Sequence, residues 1–271
     1  MSMASFSVDT AVGVVTALTS LIAAAVAATQ LSYRHRMMRT ATWAQEQVPS
    51  ATGERKQHLE DMQRWAQSEV VAATMIPAWK YVEAIVAATV TVLPIYLQKA
   101  LLVTTAVSGL VVMPGGLLQG LAAPFIGRLY DRVGVRPLMI PGIIVVAIST
   151  GLLTWAAYQR FGPIAMAMLY VLFEVGIAFG ITPLYTASLS SLPAHLYSHG
   201  SATLSTAQQL ASAIGVAILV AVLTQQTNSK VAAGAPLVDA TAHGATSAFL
   251  VATILAVVAV LLSFFIKQAK N

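Results

Sequence analysis

The sequence predicts an all-α, polytopic membrane protein of about seven transmembrane helices. Three observations predict it. Of 271 residues, 57% are hydrophobic and only 9% charged, where a soluble domain carries about 25% charge. The apolar residues gather in runs of about 20 that are almost free of charge, the length that crosses about 30 Å of hydrocarbon as a helix. No outer-membrane type of strand alternation is visible. The absence of cysteine excludes disulfides, thiol catalysis and thiolate metal sites. The net charge of +5 calls for no nucleic acid, because Lys and Arg collect in the cytoplasmic loops of membrane proteins.

The first span covers about 9–32. No basic residue precedes it, Asp9 does, and arginines follow it. That charge order is wrong for a cleaved signal peptide, so the helix is expected to be retained. Residues 34–77 form a polar connector. Pro49, Ser50 and Gly53 mark a break, and from Glu54 to Met75 the pattern turns helical. Leu59, Met62 and Trp65 or Ala66 recur at three- and four-residue spacing, and Glu60 with Arg64 forms an i,i+4 pair. This amphipathic helix reads either as an interfacial, partner-binding element or as a solvated link between spans.

The next spans are expected at about 81–98, 104–127, 137–158, 163–191, 200–225 and 244–266. The expected domains are therefore a helix at 1–33, the cytoplasmic connector at 34–77 and a six-helix bundle at 78–271. Glu83 lies near Lys80 at the start of the second span and is expected to pair with it at the membrane boundary. The third span contains Pro114, Gly115 and Gly116. Proline removes a ladder hydrogen bond, so this point serves as a hinge or as simple packing. Gly116 with Gly120, and Gly176 with Gly180, have the four-residue spacing that lets helices approach closely.

Between the third and fourth spans stands Gly127-Arg128-Leu129-Tyr130-Asp131-Arg132-Val133-Gly134-Val135-Arg136. Gly127 is expected to allow close approach, Gly134 to take positive φ, and Asp131 to cap the next helix. Arg128, Arg132 and Arg136 suit the cytoplasm and anionic headgroups. Placing this string in the cytoplasm puts 12 of the 15 Lys and Arg residues on that side. The expected topology has the amino terminus outside and the carboxy terminus in the cytoplasm.

Polar groups inside the spans are few. Glu174 sits in the middle of the fifth span, within Leu172-Phe173-Glu174-Val175-Gly176. A charge at that depth is costly, so Glu174 either binds protons or cationic substrate, or is a neutral carboxyl at a helix contact. Gln208 and Gln209 lie on the sixth span and reach a neighbouring helix or a cavity. His195 and His199 are i,i+4, but no third ligand is near, so no metal is expected. No phosphate loop or catalytic triad pattern occurs, and neither enzyme chemistry nor a cofactor is expected.

The basic string resembles the signature loop of the major facilitator superfamily, Gly-x-Leu-x-Asp-Arg-x-Gly-x-Arg/Lys. Leu93-Pro94-Ile95-Tyr96, Met113-Pro114-Gly115-Gly116, Thr182-Pro183-Leu184-Tyr185, Gln208-Gln209-Leu210 and Ile214-Gly215 stand around it. Together, over about 90–268, they resemble the carboxy-terminal six-helix half of the drug:proton antiporters with 14 spans. The resemblance implies multidrug efflux across a cell membrane, with protons and hydrophobic or cationic drug-like molecules as ligands. It also implies a cavity faced by Glu174, Gln208 and Gln209, with the basic string as a latch. The amino-terminal half and its antiporter motif are not in the sequence, so a second copy or a separate transporter half is expected as partner. The alternative is a truncated or fused membrane protein that does not transport and acts as an interaction or regulatory subunit.

Overall fold

The computed structural model describes residues 39–40, 42–50, 52–190 and 197–264. The first predicted span and His195 lie outside them. Two compact units divide between Pro77 and Ala78. In the first, a 3₁₀ turn at Val48–Ser50 is followed by Gly53 at φ +61. That positive φ suits glycine, and the Gly53 carbonyl accepts from Lys56 N at 3.1 Å as the next helix starts.

Six long helices follow: α1 (Glu54–Lys99), α2 (Thr105–Val133), α3 (Arg136–Tyr158), α4 (Pro163–Ser190), α5 (Tyr197–Ala232) and α6 (Leu237–Phe264). Each contains a segment long and apolar enough to cross a membrane. Local chemistry sets their ends. Thr104 caps α2 by accepting from Val107 N. Gly134 (φ +79) ends α2, and a proline stands in the first turn of α3. Pro163 opens α4, where its missing N–H is no loss, and Gly234 (φ +86) closes α5.

The second unit is a bundle. α4 packs on α2 and α3, and α6 packs on α3 and α5. α1 meets α5 where Glu83 bonds Gln208, and meets α6 where Tyr96 lies edge-on to Phe249. Ile85, Leu93, Leu97, Leu153, Met166, Phe173 and Ile177 fill the core. With no hydrophobic drive between helices inside lipid, close packing and small residues hold them together. Gly142 and Gly176 lie against each other's helix backbones at the α3–α4 crossing. The Thr154 and Thr253 hydroxyls meet at 3.0 Å between α3 and α6.

Several sequence expectations are corrected. The amphipathic segment from Glu54 is not a separate helix, because it continues through Pro77 into the span as one 46-residue helix. α2 runs to Val133, so Arg128, Asp131 and Arg132 stand on its last turns and the connection shrinks to Gly134 and Val135. Asp131 therefore does not cap α3, whose N-cap is Val135 with no side-chain cap bond. No atom lies within 4 Å of where a Cβ would stand on Gly127, Gly116 or Gly120. Those three glycines permit no close approach among the described residues. α6 begins at Leu237, earlier than the expected 244, since Pro236 and the alanines after it favour a helix start despite Asp239 and His243.

Candidate functional site

Two polar joints lie in the apolar bundle, each where a carboxyl-bearing helix crosses a glycine of another. At the first, α4 carries Glu174 at 4% exposure. Gly115 of α2 faces it, and a methyl there would stand 2.7 Å from Glu174 Cγ and 2.9 Å from the Tyr170 ring. Gly115, the middle of the expected hinge, is thus the space into which the glutamate packs. Tyr170 lies one turn before Glu174 on the same helix, and both side chains face Gly115. Beside this joint an apolar groove of about 540 Å³ runs between α2 and α4, bordered by Val107, Leu110, Pro114, Met168 and Val171.

At the second joint, α1 carries Glu83 at 3% exposure. Gln208 Nε2 of α5 donates to Glu83 Oε1 at 2.9 Å. Two turns along α5, Gly215 rests on the Ala84 backbone so closely that a Cβ would overlap it. Glu83 is therefore a buried interhelical group at the start of its span; the Lys80 side chain of the expected pair lies outside the described residues.

Sequence reasoning missed this role, because the partner of Glu83 lies far along the chain on another helix. α1 sets its glutamate against α5, and α4 sets its own against α2.

The other expected site residues are dispersed. Gln209 is exposed on α5 and has no hydrogen-bond partner among the described residues. Arg128, Asp131 and Arg132 are exposed at the end of α2, and Arg136 is half-buried at the start of α3. Gly134 takes the positive φ expected of it. Among the described residues no group of three His, Asp or Glu side chains could hold a metal ion. A buried carboxyl beside a phenol or an amide can exchange a proton or hold a cation.

A family model described as Major Facilitator Superfamily matches residues 3–216 and 83–271. The chain is 35% identical over 187 residues to a lincomycin resistance protein of Listeria monocytogenes, covering 67% of this chain and 40% of the relative. It is 36% identical over 191 residues to an uncharacterised transporter of Bacillus subtilis, covering 69% and 39%. A multidrug resistance protein B homolog of Mycobacterium tuberculosis is 31% identical over 138 residues, covering 50% and 25%. The chain spans about 40% of the length of the first two relatives.

Proposed function

Because the chain belongs to the Major Facilitator Superfamily, we propose that it forms one half of a proton-coupled exporter of hydrophobic or cationic drug-like molecules. The observation that carries this reading is Glu174, buried in an apolar helix beside Tyr170 and the Gly115 notch. Ionisable groups at such depth are expensive and are retained for transport or proton relay. The carboxyl holds a proton or a substrate cation, and the neighbouring α2–α4 groove receives an apolar substrate body. Gln208 holds the second carboxyl, Glu83, while Pro114 gives α2 a point at which to bend. The basic string at the end of α2 lies in the cytoplasm and latches there, and the amino terminus is outside.

The complementary half comes from a second copy or a separate chain and covers α2 and α5. In support, only 17% of the α2 span and 22% of the α5 span are buried, against 39–50% for the other four.

The test is proton-dependent dye efflux in cells expressing the chain, with Glu174→Gln and Glu174→Asp as variants. Efflux should fall to background in Glu174→Gln and survive in part in Glu174→Asp. Efflux untouched by Glu174→Gln would overturn the role given to this carboxyl.

A further inference from the structure

Away from both joints, a cavity of about 320 Å³ opens where the α3–α4 and α5–α6 turns meet. Its lining includes Tyr158, Arg160, Lys230, Asp239, His243 and Thr246. Arg160 Nη1 meets Asp239 Oδ1 at 2.6 Å. Arg160 holds this position with φ at +57, a conformation a non-glycine residue rarely adopts. The ion pair neutralises Asp239, the one carboxylate in the lining among the described residues. Lys230 is left as the second cation, with no carboxylate partner among the described residues, and His243 lies within electrostatic reach of it.

The depth of the cavity is set by its neighbours. Trp155 and Tyr158 are exposed at the end of α3, and Trp155 stacks edge-on with Phe161 at 4.9 Å. Exposed aromatics at a helix end mark the headgroup level of a bilayer, and Tyr158 also lines the cavity. A volume of this size suits a small ligand group. Its excess charge is positive: two cations stand against one carboxylate.

We propose that this cavity is a binding site for the phosphodiester headgroup of an anionic phospholipid, with Lys230 as the principal contact and the Arg160–Asp239 pair as the wall that shapes it. The site is separate from the transport pathway and does not depend on the efflux reading.

The experiment uses the detergent-purified chain titrated with dioleoyl phosphatidylglycerol, dioleoyl phosphatidylcholine or inorganic phosphate. Bound lipid is counted by native mass spectrometry and stability is followed by thermal melting. Phosphatidylglycerol should be retained and raise the melting temperature, and the other two should do neither. Lys230→Ala should weaken retention by about fivefold, the value of one cation at an anionic surface, and Lys230→Arg should restore it. Lys99→Ala, which removes another exposed lysine at the end of α1, should change nothing. Since Lys230 is exposed, its removal leaves the packing intact, and melting without lipid checks this. Equal retention by Lys230→Ala, an equal loss in Lys99→Ala, or the same stabilisation by free phosphate would each overturn the proposal.

Discussion

At the scale of single residues, the second joint sets the desolvation of Glu83 against its polar contacts, among them the bond from Gln208. Glu83 is almost fully buried and Gln208 donates to it at 2.9 Å. A buried polar group that loses its partner costs about 1–3 kcal/mol. Gln208→Leu should therefore lower the melting temperature of the purified chain by several degrees. Glu83→Gln should cost far less, because an amide can still accept from Gln208. Equal losses in the two variants would show that shape, and not the hydrogen bond, sets the stability. The pair was hidden from sequence reasoning for a physical reason. Glu83 and Gln208 are 125 positions apart, and the burial of Glu83 is created by the docking of α5. Lys80, three residues away, offered a local partner that sufficed without any fold. Glu174 was legible because it stands amid an unbroken apolar run, where no choice of neighbours could make it a surface residue.

At the scale of elements, the six helices were legible and their ends less so. Length and apolarity fix a membrane span in almost any context. Ends depend on weaker signals: α2 continued through a basic stretch to Gly134, and α6 started early at Leu237. Glycine spacing alone was a poor guide to crossings. Gly176 lies against α3, whereas Gly116 and Gly120 meet nothing within 4 Å, because spacing says a face is small but not that a neighbour is there. This yields a contrast. Gly215→Ala would drive a methyl into the Ala84 backbone, and such overpacking costs about 1–3 kcal/mol. Gly120→Ala meets open space and should instead gain about 0.5–1 kcal/mol of helix stability. Thermal melting of the two variants reads the difference directly, and a stabilised Gly215→Ala would refute the close α1–α5 crossing.

At the scale of the whole molecule, the question is what covers α2 and α5. Leu110, Leu117, Leu121 and Phe125 on α2, and Leu210 and Ile214 on α5, are exposed. In a bilayer such side chains lose nothing by facing lipid, so apolar exposure alone does not require a partner. The polar residues decide the matter. Ser205, Thr206 and Gln209 are also exposed on α5. Thr206 satisfies its hydroxyl on the Ala202 carbonyl, but the Gln209 amide has no partner among the described residues. An unsatisfied amide facing hydrocarbon is costly. The proposed second half relieves that cost. The natural chain has no cysteine, so single introduced thiols report contacts without background. Leu121→Cys and Leu210→Cys should cross-link in native membranes, and Trp155→Cys, exposed on α3, should not. A product of twice the chain mass identifies a second copy, and any other mass a separate half. Should all three positions cross-link equally weakly, lipid and not protein covers this face, and the two-half arrangement fails.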